Sequence, residues 1–130
     1  MDKEIICLDT SLFIDYFRKQ RKDRTLLAKL SEDYDFSISV ITKLEIGVGI
    51  GKGQKDFWED VFEKLTILPL TEIEIDKACE IIQILRKSNK IIGLQDILIA
   101  STAIVNDLNL ATLNLKDFER IQELKILPNK

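Results

Sequence analysis

Short apolar runs alternate along this chain with stretches of helical periodicity, and acidic side chains follow the runs. Residues 5–8 lead directly into Asp9, and residues 36–40 are followed by Glu45. Because short buried strands that alternate with helices build parallel sheets, the pattern predicts an α/β fold with a central, mostly parallel sheet of about five strands flanked by helices. The strands are predicted at residues 4–8, 36–40, 66–70, 110–113 and 124–127, and the helices at residues 11–20, 24–32, 42–50, 54–65, 72–89, 95–107 and 115–121.

The polar residues after these runs fall where such a sheet binds its ligands, beyond the carboxyl ends of the strands. Asp9 and Glu45 follow predicted strands. Asp96 opens the apolar helix that leads to a later strand, and Asn114 and Asp117 follow that strand. Taken singly, an acid of this kind has a structural explanation, such as a helix cap or a favourable charge in a first helical turn. Together these residues predict a cluster of oxygen ligands, which suits Mg²⁺ or Mn²⁺.

The composition limits the chemistry. The chain has 130 residues, of which 45% are hydrophobic and 32% charged, and this predicts one globular domain over residues 1–130. It contains no histidine, which excludes Ser-His-Asp catalysis, Cys-His catalysis and the usual zinc sites. The net charge of −3 neither indicates nor excludes nucleic-acid binding, because basic side chains can be segregated to one face.

The cysteines and the apolar runs indicate the compartment. Cys7 lies in the first apolar run and Cys79 in a helical apolar stripe, and both are predicted to be buried small hydrophobic residues with no disulfide between them. The first apolar run is too short for a signal peptide. No run approaches the roughly 20 residues that span a bilayer. A cytoplasmic protein without a membrane segment is therefore expected.

Three further features have a structural and a functional interpretation. The glycine-rich residues 47–53 look like a phosphate-binding loop, but they follow a helical pattern and no Ser or Thr follows Lys52, so a helix end is favoured. The basic residues 18–24 form either a solvated connection or a rim that contacts phosphate or a partner protein. Lys43 is either a surface lysine or a residue near a phosphate path.

Four stretches of the chain resemble motifs of the PIN-domain proteins, especially toxins of the VapC type, in that family's order and spacing. They are residues 6–16 (ICLDTSLFIDY), 38–47 (ISVITKLEIG), 96–103 (DILIASTA) and 112–121 (TLNLKDFERI). Two positions depart from the family pattern. Ser11 stands where Asn often follows Asp-Thr, and Asn114 stands at the fourth acidic position, for which Asp117 is the nearest alternative acid.

The resemblance implies a divalent-metal-dependent ribonuclease that is the toxin of a toxin–antitoxin pair. It implies that Asp9, Glu45 and Asp96 hold one or two Mg²⁺ or Mn²⁺ ions, with Asn114 or Asp117 in the fourth catalytic position. It also implies an RNA substrate, a cognate antitoxin protein and a homodimer. Two alternatives stay open: a catalytically idle interaction module on the same fold, and a receiver-like Mg²⁺-binding signalling domain. The latter needs an Asp at the end of a central strand, which residues 66–71 lack.

The helices predicted between residues 11 and 32 carry more apolar surface than one face of a sheet needs. This excess predicts a groove for an amphipathic partner helix, with ordinary core packing as the alternative. The residues concerned are Leu12, Phe13, Tyr16, Phe17, Leu26, Leu27 and Leu30.

Overall fold

The computed structural model describes residues 2–49 and 54–128 and confirms an α/β fold with a parallel sheet flanked by helices. The strands are β1 (Glu4–Leu8), β2 (Tyr34–Ser39), β3 (Thr66–Leu68) and β4 (Leu110–Ala111). The helices are α1 (Thr10–Arg18), α2 (Leu26–Leu30), α3 (Val40–Gly49), α4 (Lys55–Glu63), α5 (Glu72–Lys87), α6 (Leu94–Val105) and α7 (Leu115–Phe118), with a short 3₁₀ turn at Lys22–Arg24.

The sheet is parallel throughout, with the strand order β3-β2-β1-β4. Cys7 of the central strand β1 pairs with Ser37 on one side and with Leu110 on the other. Because all strands run in the same direction, the chain segments that leave β1, β2 and β4 emerge at a single edge of the sheet. That edge is the expected ligand-binding edge of an open α/β sheet.

Side chains of β1 alternate between two buried cores, one on each face of the sheet. Ile6 and Leu8 contact the core that contains α1 and Trp58 of α4. Cys7 points into the opposite core, which is built mainly from α5 and α6. Both faces of the sheet are thus covered by helices, as is usual for parallel sheets. Burial raises the pKa of the Cys7 thiol to about 12, so this cysteine is a packing residue, as predicted.

The prediction that Cys79 is buried is wrong. Its neighbours Ala78, Ile81 and Leu85 form the buried stripe of α5, whereas Cys79 is exposed. Successive helical residues are about 100° apart around the axis, so the residue next to the stripe leaves it when the stripe is narrow.

The predicted fifth strand is also wrong, since the described sheet has four strands. Residues 124–127 make an isolated parallel bridge between Ile126 and Leu110. Leu110 donates to Lys125 O and accepts from the Leu127 amide, at 2.8 Å each. The ladder stops there because β4 is itself only two residues long.

Residues 18–32 are predicted to carry a basic connection and one helix at 24–32, and the structure divides this helix at Thr25. The Thr25 hydroxyl accepts a hydrogen bond from the Ala28 amide and caps α2. Lys22 folds back onto the end of α1, where Nζ donates to the carbonyl oxygens of Tyr16, Phe17 and Lys19 at 2.8–3.1 Å. Part of the basic stretch therefore stabilises a helix end.

The glycine-rich stretch begins inside helix α3, where Gly47 and Gly49 lie in the last turns. The rest of the predicted phosphate-loop-like motif, residues 50–53, lies outside the described residues. In the described part of the chain, the helices are too short or too polar to cross a membrane.

Candidate active site at the carboxyl edge of the sheet

Asp9 lies immediately beyond β1 and is only 3% exposed. It occupies the N-cap position of α1, but its side chain makes no capping hydrogen bond. Instead Oδ2 accepts hydrogen bonds from Ser11 Oγ and Thr112 Oγ1, both at 2.7 Å. A simple helix-capping role for this carboxylate is therefore ruled out, and the buried charge is held by hydroxyl donors from two parts of the chain.

Glu45 lies on α3, which starts directly at the end of β2. Its Oε1 accepts a hydrogen bond of 2.7 Å from Thr10 Oγ1. Thr10 Oγ1 also lies 3.1 Å from the hydroxyl of Thr42, which is fully buried. Since Thr10 is the residue after Asp9, this contact ties the exposed Glu45 side chain to the end of the neighbouring strand.

Asp96 occupies the first turn of α6 and is partly buried. Its pKa is raised to about 6, first by burial and then by the negative charges of Asp9, Glu45 and Asp117. Burial by itself raises the pKa of a carboxyl group, and negative charges nearby raise it further, so Asp9, Glu45 and Asp117 lie close enough to Asp96 to act on its charge.

Asn114 and Asp117 follow β4 and form a pair. The Asn114 side-chain amide donates to Asp117 Oδ2 at 3.1 Å. Arg120 Nη1 lies 4.0 Å from Asp117 Oδ1 and donates to the carbonyl oxygen of Ile91 at 2.8 Å. Within residues 2–49 and 54–128, this long contact is the only ion pair that involves the acidic cluster. The Asp117 carboxylate is therefore held by the Asn114 side-chain amide at one oxygen and makes a long ion pair with Arg120 at the other.

The donor set fits a hard divalent cation. It consists of carboxylate oxygens with little compensating positive charge, which is the chemistry that Mg²⁺ and Mn²⁺ select. In the part of the chain that the structure describes, no three acidic or cysteine side chains are already grouped as a ready-made metal site. Coordination of an ion thus requires the carboxylates to turn toward one another or to share ordered water, as Mg²⁺ sites commonly do.

Lys43 does not belong to this cluster. Its Nζ lies 5.6 Å from the centre of the Phe62 ring, against helix α4. Two residues along a helix correspond to about 200° of rotation, so Lys43 and Glu45 face different sides of α3. The structure thus places Lys43 on the exposed surface of α3, and its role near a phosphate path stays a prediction.

An apolar cavity of about 430 Å³ adjoins the acidic cluster. Thr10 and Glu45 line it on the side of the site, and Phe17 and Trp58 line it further away. A second cavity of about 490 Å³ lies on the other side of Trp58, between α1, α2 and α4. The two cavities share Phe13 and Trp58 in their walls, and together they are called the aromatic cleft below.

The family model of the PIN domain matches residues 6–124 of the chain. The chain belongs to the PIN-domain family. A receiver-like domain is thereby excluded. The PIN-domain chain is 32% identical over 122 residues to Ribonuclease VapC10 of Mycobacterium tuberculosis, covering 93% of this chain and 91% of that one. It is 35% identical over 119 residues to Ribonuclease VapC1 of Methanocaldococcus jannaschii, covering 91% and 82% of the two chains.

Solved structures agree with this assignment. The PIN-domain chain is similar to a chain in the crystal structure of VapBC2 from Rickettsia felis bound to a DNA fragment from the VapBC2 promoter. The TM-score is 0.77 and the sequence identity 27%, over 97% of this chain and 99% of that chain.

Hydroxyl groups are the part of the site that sequence reasoning missed. Thr10, Ser11 and Thr112 donate to the acids, and Thr42 supports Thr10. Their position was the available signal, because Thr10 and Ser11 directly follow Asp9 and Thr112 directly follows β4. Hydroxyls are so common near strand ends and turns, however, that their identity alone does not mark them.

The raised pKa of Asp96 leads to a stability prediction for the metal-free protein. The folded state holds a proton on Asp96 up to about pH 6, whereas an unfolded Asp loses it near pH 4. Stability therefore falls as the pH rises through this interval and stays reduced above it. We expect Asp96→Asn to raise the free energy of unfolding by about 1 kcal/mol at pH 7.5, after allowance for solvent screening of this half-buried group. The gain should vanish below about pH 4.

Urea unfolding in EDTA at pH 7.5 and at pH 3.5 measures this difference. Asp76→Asn, at an exposed position on α5, is the matched control and should leave stability nearly unchanged at both pH values. A gain of equal size at the two pH values, or a loss at pH 7.5, would contradict the proposed repulsion within the cluster.

Proposed function

We propose that this PIN-domain chain is a divalent-metal-dependent ribonuclease and the toxin of a toxin–antitoxin pair. The acidic cluster at the carboxyl edge of the sheet, with one distant arginine as its ion-pair partner in the described ranges, is the observation that carries the proposal. The relatives named as VapC ribonucleases, which match over most of their length, support the choice of RNA as substrate.

Asp9, Glu45 and Asp96 are the residues that would hold Mg²⁺ or Mn²⁺. When bound, the ion supplies the positive charge that activates a water and stabilises the leaving oxygen in phosphodiester hydrolysis. The chain's own contribution is to hold these acids in place by the hydroxyls of Thr10, Ser11 and Thr112 and by the rigid ends of the strands. No histidine is needed for this chemistry, which agrees with its absence from the sequence.

The fourth acidic position is assigned to Asp117, with Asn114 as its positioning residue. The contact between the two side chains supports this assignment, because the side-chain amide of Asn114 donates to Asp117 Oδ2 at 3.1 Å. The charge of Asp117 also reaches Asp96 and raises its pKa. An amide oxygen is neutral and stabilises a cation less than a carboxylate does. Asp117 is thus the better ligand of the pair.

We expect Asn114→Ala to lower RNA cleavage about tenfold and Asp117→Asn roughly a hundredfold, because removing an orienting partner costs less than removing a ligand charge. Initial rates at saturating Mn²⁺, with fluorescent single-stranded RNA as substrate, measure both. Asn106→Ala is the control, because it removes only the hydrogen bond from the Asn106 side chain to the Thr102 carbonyl in the last turn of α6. If Asn114→Ala proved more damaging than Asp117→Asn, the assignments would have to be exchanged.

The aromatic cleft is the proposed docking site of the antitoxin. Its walls are apolar, and one end opens at Thr10 and Glu45, so a partner segment seated there would also cover the acidic cluster. Of the residues predicted to form this groove, Leu12 and Phe13 are buried in the core, while Phe17 keeps 46% of its surface exposed. Tyr16 and Leu27 line the cavity on the far side of Trp58.

Two residues of the basic stretch 18–24, which lies beside the cleft, are held by contacts within the chain. Arg18 lines the cavity near Glu45. Arg21 pairs with Asp23 at 3.2 Å, and Lys22 donates hydrogen bonds to carbonyl oxygens at the end of α1. The exposed positive charges of Arg18 and Arg24, for which the described residues provide no ion-pair partner, remain available to attract an acidic partner. The homodimer remains a prediction, and sedimentation equilibrium of the purified chain tests it.

The decisive experiment is incubation of the purified protein with structured and single-stranded RNAs in EDTA, Mg²⁺ or Mn²⁺, with single-stranded DNA of the same sequence alongside. Divalent-dependent cleavage confined to RNA would support the proposal. An absence of RNA cleavage under all these conditions would favour the alternative, a catalytically idle interaction module on the same fold.

A further inference from the structure

Ser11 connects two parts of the site that are far apart in the sequence. Its Oγ donates to Asp9 Oδ2 at 2.7 Å and accepts a hydrogen bond from the Leu113 amide at 3.0 Å. Ser11 lies in the first turn of α1, and Leu113 lies in the loop between β4 and α7. A single hydroxyl group thus joins the end of the central strand to the loop that carries Asn114 and Asp117.

The chemistry of the hydroxyl fixes the direction of both bonds. A serine side chain has one proton to donate and lone pairs to accept with. The ionised carboxylate can only accept and the backbone amide can only donate, so the proton of Ser11 goes to Asp9 and its lone pair faces Leu113. The bond to the carboxylate is charge-assisted and belongs to the stronger class of hydrogen bonds.

Thr112 makes a parallel arrangement from the strand side. Its Oγ1 donates to the same Asp9 oxygen at 2.7 Å and accepts a hydrogen bond from the backbone amide of Asn114 at 2.9 Å. Asp9 Oδ2 therefore receives two hydroxyl protons, and each of these hydroxyls also accepts from a backbone amide of the same loop. Both bridges run between Asp9 and the β4–α7 loop, and together they fix the carboxylate in one orientation relative to that loop.

We infer that Ser11 is a positioning residue, which holds the Asp9 carboxylate in register with the loop that carries Asn114 and Asp117 before any ion binds. The inference rests on the proposed metal-dependent function. Outer hydroxyl and amide partners of this kind orient the ligands of metal sites, and their loss commonly weakens metal binding about 10–100-fold. In this chain the hydroxyl of Ser11 makes both bonds of the bridge, and replacing only that group tests the inference.

Binding of Mn²⁺ to the purified full chain, measured by isothermal titration calorimetry without RNA, gives a readout independent of cleavage. We expect Ser11→Ala to weaken Mn²⁺ binding about tenfold or more. Ser11→Thr keeps the hydroxyl and should remain within about threefold of the parent. Ser37→Ala is the matched control, because Ser37 is a buried serine of β2 whose hydroxyl donates to the Ile6 carbonyl at 2.9 Å, away from the acids. It should lower stability and leave Mn²⁺ affinity unchanged.

The outcomes separate the inference from the function on which it rests. If the parent protein and Asp9→Asn bind Mn²⁺ equally or not at all, the proposed metal site fails, and the inference fails with it. If Asp9→Asn loses binding but Ser11→Ala keeps the parent affinity, the inference about Ser11 alone is overturned. It is also overturned if Ser11→Thr is as weak as Ser11→Ala, or if Ser37→Ala weakens Mn²⁺ binding as much as Ser11→Ala does.

Discussion

Replacing Asp9 by asparagine is expected to lower metal-dependent RNA cleavage by about a thousandfold or more. A bound divalent ion supplies several kcal/mol of transition-state stabilisation, and about 4 kcal/mol corresponds to three factors of ten in rate. Asp9 is the most buried of the acids in the cluster, and two hydroxyl donors hold its carboxylate. The substitution keeps the shape of the side chain and removes the charge that an ion needs, so the loss should appear in kcat.

Asp96→Asn is expected to have an effect of the same order, since Asp96 faces the charges of Asp9, Glu45 and Asp117. Single-turnover cleavage of RNA in Mn²⁺, over a range of ion concentrations, measures both variants. Circular dichroism establishes that they are folded.

The matched control is Asp35→Asn, because Asp35 is an exposed acid in the first half of β2, near the strand end opposite the site. It should cleave RNA like the parent protein. Parent-like rates in Asp9→Asn and Asp96→Asn would remove these acids from the catalytic machinery. A loss in Asp35→Asn of the same size would mean that the assay reports net charge and not the site.

The path of the chain through the strands could be predicted because apolar runs mark a parallel sheet clearly. In β1, Ile6, Cys7 and Leu8 are all fully buried, since both faces of such a sheet are covered. The same property brings residues after separate strands to one edge. This is why Asp9, Glu45, Asn114 and Asp117, which follow separate strands, can be proposed as parts of one site from sequence, together with Asp96 at the start of α6.

The predictions from sequence fail where strand pairing or side-chain packing determines the structure. The apolar pattern of residues 124–127 fits a strand, but a strand needs a neighbour of matching length, and Leu110–Ala111 offers two residues. Cys79 is exposed because the stripe of α5 is narrow, which the pattern does not reveal. The hydroxyl bridge through Ser11 joins residues 102 positions apart, and such a contact is set by how the β4–α7 loop turns.

The loop also accounts for the open question about the fourth acid. Sequence alignment of the motif favours Asn114, whereas distance along the chain permits Asp117 as well. The choice depends on the turn after Ala111, where the backbone amide of Asn114 donates to the Thr112 hydroxyl. This turn places the Asn114 side chain against Asp117. The contact cannot be predicted from hydrophobic periodicity or from the spacing of the motif.

Replacing Phe17 by aspartate is expected to weaken antitoxin binding about thirtyfold or more, because loss of an aromatic anchor at the centre of an interface commonly costs 2 kcal/mol or more. Phe17 is one of the exposed aromatic side chains of the cleft, with its ring centre 6.4 Å from that of the buried Trp58. An aspartate there would replace an apolar contact by a charge in a wall that a partner segment must cover, and taking that charge out of water is costly.

Co-expression with the product of the neighbouring open reading frame, followed by affinity purification and titration calorimetry, measures the complex. Ile73→Asp is the matched control, because Ile73 is an isoleucine of α5 that is 65% exposed and lies outside the residues that form the cleft walls. The control should bind like the parent chain. Phe17→Asp should stay folded by circular dichroism and should continue to cleave RNA when the partner is added at concentrations that inhibit the parent. A tight, inhibitory complex with Phe17→Asp would show that the antitoxin does not dock against the cavity wall that Phe17 forms.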